Sequence, residues 1–166
     1  QNDLNPVYRT VYYYAKPEPV KVKLQFTKAL AGRTLQDGEF DFKIQDTASG
    51  YNETVSNQNG KVTFSELTFT KPGVYTYKVN EVPGTDTDVD YDGMESTVTI
   101  TVTEKNAIGD LDAKVTYTSI NGQDASGNTT DTNVSATNPT VRIGTDTEFN
   151  NFVVAPVNVE FDFTKK

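Results

Sequence analysis

The sequence predicts an all-β domain, folded as an antiparallel sandwich or barrel. Apolar and polar residues alternate along most of the chain, most clearly in the segment 97–103, which reads TVTITVT. Alternation of this kind places every second side chain on the same face of a strand. Pairs such as Asp37-Gly38 and Asn59-Gly60 separate the alternating segments, and such pairs favour tight turns. No segment sustains a helical period over three turns.

Each predicted strand is bounded by residue pairs that favour turns, or shows an alternation of apolar and polar residues. The first strand alternates Val, Leu and Phe with polar residues, and Gly-containing pairs bound most of the strands that follow. In chain order we predict strands at 20–30, 39–45, 51–56, 61–69, 74–82, 96–104, 110–119, 140–144 and 147–154. The stretch 121–139 is rich in Asn, Thr, Ser, Gly and Asp, and is predicted to be a long exposed loop.

The composition excludes several classes of function. The 166 residues suffice for one well-packed domain and contain neither Cys nor His. The chain therefore has no disulfide, no thiolate metal site and no imidazole, the commonest general base. Its net charge of −8 at pH 7 disfavours nucleic-acid binding, and no apolar segment is long enough to cross a bilayer. We expect no cofactor and no membrane insertion.

An acidic segment near the middle of the chain imitates half of a calcium loop. Asp86, Asp88, Asp90 and Asp92 precede Gly93, but a threonine occupies the position of the closing bidentate Glu. We therefore predict an acidic solvated turn and no metal site, with calcium binding as the alternative.

One internal repeat bears on the domain organisation. The segment PVKVKLQFTK (19–28) recurs as PVNVEFDFTK (156–165), with six of ten positions identical. A first strand that reappears after the last one indicates the start of another copy of the module. We therefore predict a β-sandwich domain at 20–155. Residues 156–166 are then a linker and the first strand of the next repeat, and residues 1–19 are a strand and linker from a preceding module.

Three polar residues fall on predicted apolar faces. Lys28 lies an even number of positions from the Val, Leu and Phe residues of the first strand, so it shares their face. In the same way, Glu81 continues the face of two tyrosines and a valine. Asn151 shares parity with the Phe and the Val two positions away on either side. A buried unpaired charge costs several kcal/mol, so such groups need a reason. The alternative is that Lys28 and Glu81 lie at strand ends and reach solvent.

A buried Lys, Glu and Asn can form an isopeptide bond. Burial lowers the pKa of the amine towards its neutral, nucleophilic form, and raises the pKa of the carboxyl. The protonated carboxyl can donate a hydrogen bond to the amide oxygen and can shuttle protons. The amine then attacks the amide carbon and ammonia leaves. Each molecule would react once, with Glu81 as the proton shuttle.

Four segments carry a family resemblance, and together they span about 130 residues. They are LQFTKALAGRTLQDGEFDFKI (24–44), GKVTFSELTFTKPGVYTYKVNEVPG (60–84), VDYD (89–92) and EFNNF (148–152). In these segments the chain resembles the pilin isopeptide-linkage domains of Gram-positive surface proteins, which are related to collagen-adhesin B-type (CnaB-like) modules. The resemblance implies an immunoglobulin-like antiparallel β-sandwich.

The resemblance also implies roles for residues of this chain. Lys28 would bond to Asn151, two residues after Phe149, and Glu81 would assist. The neighbouring Asn150 offers a second amide as acceptor, although parity and the distance from Phe149 favour Asn151. The protein would be attached to the cell wall of a Gram-positive bacterium.

We expect a self-cross-linked stalk repeat of an adhesin or fibrillar surface protein, with adjacent repeats of the same chain as its partners. One alternative is an adhesin domain that binds host glycan or matrix protein through 121–139 or the Tyr-rich segment 12–14. Another is a pilus backbone subunit that sortases polymerise through a surface lysine such as Lys16. We do not expect a conventional enzyme, because no titratable groups converge on a predicted cleft.

Overall fold

The computed structural model describes residues 16–138, 140–155 and 159–165. Within these ranges the chain forms thirteen strands and no helix. The strands are β1 (Val20–Val22), β2 (Gln25–Ala31), β3 (Asp41–Asp46), β4 (Tyr51–Ser56), β5 (Lys61–Thr63), β6 (Leu67–Phe69), β7 (Gly73–Val82), β8 (Val89–Asp90), β9 (Glu95–Glu104), β10 (Leu111–Ile120), β11 (Asn133–Val134), β12 (Arg142–Gly144) and β13 (Glu148–Val153).

The strands form two main sheets. One has seven strands in the order β11-β12-β10-β9-β7-β3-β4, and the other has four strands in the order β5-β2-β13-β8. A small third sheet pairs β1 with β6. Aromatic side chains of the two main sheets meet in the core, where the Phe42 and Phe149 rings lie 5.0 Å apart and the Phe26 and Tyr117 rings 5.6 Å apart. The fold is an all-β sandwich, as predicted, and not a barrel.

Most predicted strands are confirmed to within two residues. The predicted strands 20–30 and 61–69 each divide into two, because the chain leaves one sheet and joins another. The turn at Asn59-Gly60 has φ values of 51° and 70°, as expected for a tight hairpin turn with both central residues left-handed. The two-residue strands β8 and β11 were not predicted, since they are too short to show alternation.

The second strand of the domain lies beside the last one. Among the described strands, every pair is antiparallel except β2 and β13, which run parallel and place Phe149 opposite Lys28 and Asn151 opposite Leu30. This pair lies in the middle of the four-stranded sheet. The alternation of apolar and polar residues along a strand does not predict such a parallel pair, because it carries no information on the direction of the neighbouring strand.

The segment predicted as a long exposed loop at 121–139 is only partly exposed. Asp131 is 1% exposed and accepts hydrogen bonds from Ser119 Oγ at 2.7 Å and from the Gly122 N–H at 2.8 Å. Two of its residues form β11 against β12. These contacts hold the segment against the end of the seven-stranded sheet.

The two predicted flanking segments are partly described. Residues 1–15, which include the Tyr-rich segment, lie outside the described residues. The Glu18 N–H donates to Asp110 Oδ1 at 2.9 Å, so the chain contacts this domain just before β1. Residues 159–165 form no strand, and Phe161 and Phe163 are 76% and 89% exposed. In the described part of the chain there is no helix of the length and apolarity that a membrane crossing requires.

Candidate functional site

Lys28, Glu81 and Asn151 meet in the core of the sandwich. Lys28 lies on β2 and Asn151 on the adjacent β13, while Glu81 reaches them from β7 of the opposite sheet. The three residues are 3%, 3% and 0% exposed. Each side chain therefore points inward, in the direction that strand alternation predicts. Neither Lys28 nor Glu81 reaches solvent at a strand end.

One carboxylate oxygen contacts both nitrogens. Glu81 Oε1 lies 2.9 Å from Lys28 Nζ and accepts a hydrogen bond from Asn151 Nδ2 at 2.8 Å. The amine that would attack and the nitrogen that would leave therefore share the same oxygen. A group in this position can accept a proton from one nitrogen and deliver it to the other without moving.

The surroundings of Lys28 disfavour its charged form. Its ammonium nitrogen lies 4.6 Å from the centre of the Phe40 ring and 5.7 Å from that of Phe42. The contact with Glu81 is short, but Nζ makes no hydrogen bond of regular geometry. Burial lowers the pKa of Lys28, although the charges of Glu81 and Asp92 oppose this shift. An amine in such a site is a better nucleophile than an exposed lysine.

Burial also favours the neutral form of Glu81. It raises the pKa of the carboxyl, while Lys28 and the hydrogen bond from Asn151 act in the opposite direction. A proton transferred from the Lys28 ammonium to Glu81 leaves a neutral pair, which a dry site tolerates better than two separated charges. The free amine and the protonated carboxyl are the states that isopeptide formation needs.

The Asn151 amide is held with its nitrogen towards Glu81. Its Oδ1 accepts a hydrogen bond from the Asp92 backbone N–H at 2.7 Å. A backbone N–H can only donate, so the amide oxygen must face Asp92 and the nitrogen must face Glu81. The hypothesis that Glu81 donates to the amide oxygen is wrong for this geometry. The carboxyl contacts the leaving nitrogen instead.

The second amide, Asn150, is directed away from the site. Its Nδ2 donates to the Gln123 carbonyl and to Glu148 Oε1, both at 3.1 Å. Asn150 is nevertheless only 5% exposed, because the segment that contains Gln123 covers the outer face of β13. The structure thus brings Asn151, and not Asn150, to Lys28 and Glu81.

This arrangement predicts different effects for the two asparagines. Asn151→Ala is expected to leave the chain at its full sequence mass, because no amide remains beside Lys28. Asn150→Ala is expected to retain the loss of one ammonia, since only its backbone touches the site. Intact-protein mass spectrometry of the two variants checks this. If Asn150→Ala kept the full sequence mass and Asn151→Ala lost one ammonia, the acceptor would be Asn150 and not Asn151.

Asp92 is a fourth buried residue, which the sequence did not single out as part of this site. It is 2% exposed, and its carboxylate accepts hydrogen bonds from the Met94 N–H at 2.9 Å and the Asn150 N–H at 2.7 Å. Burial raises the pKa of Asp92 to about 6. The prediction of a solvated acidic turn is therefore wrong at Asp92. Among the described residues, no group of three or more acidic side chains could hold a metal ion.

The geometry permits a balanced condensation. The neutral Lys28 amine would attack Asn151 Cγ, and Glu81 would carry one proton from Nζ to Nδ2. The Cγ–Nδ2 bond would break, ammonia would leave, and an amide would join the two side chains. Glu81 would end in the protonation state in which it began. Close contact in a dry core would supply the rate.

A family model described as FctA, the Spy0128-like isopeptide containing domain, matches residues 24–154. The chain belongs to this family. Domains of the FctA family are isopeptide domains of pilins and surface proteins, and they are typically exposed on Gram-positive bacteria. The match includes β2, β7 and β13, which carry the three buried residues. A search of curated proteins finds no match to this chain.

Proposed function

We propose that this FctA-family domain is a structural stalk repeat of a cell-wall-attached surface protein. A single intramolecular bond between Lys28 and Asn151, formed with the help of Glu81, stabilises it. The domain is not a turnover enzyme, because its one reaction consumes its own side chains. Its role is to extend and stiffen the chain that presents a binding region.

One observation carries this proposal. Lys28 Nζ and Asn151 Nδ2 both lie within 3 Å of Glu81 Oε1 in a site from which water is excluded. A buried salt bridge of this kind is weak evidence for stability alone, since an apolar pair of similar volume often serves as well. A salt bridge does not need an amide that donates to the same carboxylate oxygen. The condensation does need that amide, because it is the group that the amine attacks.

The position of the bond favours a mechanical role. Lys28 and Asn151 lie on the neighbouring parallel strands β2 and β13, which are among the first and last strands of the domain. A bond between them would join the incoming and outgoing chain directly. Unlike a disulfide, an amide bond does not respond to the redox state of its surroundings.

The repeated segment supports a modular chain. Residues 159–165 carry the apolar pattern of β1 and β2, yet Val159, Phe161 and Phe163 are 62%, 76% and 89% exposed here. A strand with such side chains needs a sheet to cover them. We propose that the next copy of the module supplies that sheet, so that adjacent repeats are the partners of this domain.

Intact-protein mass spectrometry tests the bond. The purified chain is expected to weigh less than its sequence by one ammonia, and a digest is expected to yield a branched peptide that joins the Lys28 and Asn151 fragments. Glu81→Gln is expected to keep the full sequence mass, because the amide cannot carry the proton. Lys23→Ala is the matched control, since Lys23 is exposed on the same segment. An unmodified mass for the unsubstituted chain would rule the proposal out.

A further inference from the structure

The turn that joins β8 to β9 contributes to the site through its backbone. The Asp92 N–H points at Asn151 Oδ1 at 2.7 Å and also approaches Glu81 Oε2 at 2.9 Å. Asn151 Oδ1 is the atom on which negative charge develops when an amine attacks the amide carbon. A fixed donor aimed at that atom in a water-excluded site lowers the barrier to such a reaction.

We infer that the Asp92 backbone N–H is the oxyanion donor for isopeptide formation, and that the Asp92 carboxylate is the positioning group that holds it there. This inference rests on the proposed bond between Lys28 and Asn151. It assigns separate tasks to the two groups around the Asn151 amide. Glu81 handles protons at the nitrogen, and Asp92 stabilises charge at the oxygen.

The Asp92 side chain anchors the donor on two elements. The pairing of β8 with β13 ends at Asp90 and Phe152. After Asp90 the chain turns away from β13. Asp92 Oδ2 takes the place of a backbone acceptor for the Asn150 N–H at 2.7 Å, while Oδ1 binds the Met94 N–H at 2.9 Å. The carboxylate thus ties its own turn to the residue that precedes Asn151.

A purely structural role explains these contacts less well. A structural turn accounts for the bond from the Met94 N–H, because Asp side chains often accept from the N–H two residues further on. It does not account for the second bond, from the Asn150 N–H on β13, and a buried carboxylate is costly. Within the described residues, the acceptors of the Asp92 N–H are two side chains of the site, Asn151 and Glu81. The carboxylate therefore holds in place an N–H that would otherwise be free to turn towards solvent or another carbonyl.

The rate of bond formation tests the role of the carboxylate. The full chain is translated in a cell-free system, and the linked fraction is followed by intact mass. Asp92→Asn is nearly isosteric but offers one acceptor oxygen in place of two, so the bond is expected to form at least about 10-fold more slowly. Asp131→Asn is the control, because Asp131 is equally buried and accepts two hydrogen bonds in a different loop. It is expected to react within about two-fold of the unsubstituted chain.

A second measurement needs no substitution and so does not depend on the folding of a variant. In the unsubstituted chain, labelled with ¹⁵N and ¹³C, nuclear magnetic resonance is expected to show a scalar coupling across the hydrogen bond from the Asp92 nitrogen to Asn151 Cγ. Absence of this coupling, or an unchanged rate in Asp92→Asn, overturns the inference. If the unsubstituted chain never loses ammonia, the proposed function itself fails, and the two failures are thereby distinguished.

Discussion

Removing the cross-link is expected to lower the melting temperature by roughly 10–20 °C. In Lys28→Met the amine is replaced by an apolar chain of similar length, so no bond to Asn151 can form. The bond closes a loop of about 120 residues, and the loop-entropy treatment gives about 5 kcal/mol for such a closure. The stabilisation arises largely in the unfolded chain, whose freedom the bond restricts. Differential scanning calorimetry measures the change.

The comparison must separate the loss of the bond from the loss of the nitrogen that faces Glu81. Lys28→Met leaves the buried Glu81 carboxyl without its partner at Nζ, which destabilises the fold independently. The double variant Lys28→Met/Glu81→Gln also removes the ionisable carboxyl, and we expect its melting temperature to stay most of the way below that of the unsubstituted chain. If the double variant melts within a few degrees of the unsubstituted chain, the bond does not contribute the stability we assign to it.

The three site residues were predictable because strand alternation is a local property. Lys28, Glu81 and Asn151 each follow at least one strongly apolar neighbour of the same parity, so the face on which they lie can be read within a few residues. That they meet one another is not a local property. It depends on β2 lying beside β13 and facing β7, and the family resemblance, not the alternation, implied it.

Asp92 and Asn150 show where alternation stops being informative. Asp92 lies in a turn, and its burial results from β8 pairing with a strand some sixty residues further along the chain. Asn150 lies on the outer face of β13, yet the segment around Gln123 covers it. Both are buried by contacts distant in sequence, for which a window of neighbouring residues carries no signal.

Loss of the cross-link is expected to change the mechanical extension of the domain more than its melting temperature. Force applied through the two ends of the domain acts on the start of β2 and the end of β13, which are parallel neighbours. Strands loaded in this way are sheared along their length. In the cross-linked chain the load passes from the Lys28 side chain to Asn151, so the residues between them bear no tension and cannot extend.

Single-molecule force spectroscopy distinguishes the two cases, with the chain held between marker domains. Without the bond, about 120 residues unravel, and at about 3.5 Å per residue they release roughly 400 Å of chain. Lys28→Met is expected to show this step, whereas the unsubstituted chain and Lys23→Ala are expected to show none of that length. A step of roughly 400 Å in the unsubstituted chain would mean that its ends are not covalently joined through the core. The length released therefore reports the position of the bond as well as its presence, because a link to any other lysine would leave a different number of residues free to extend.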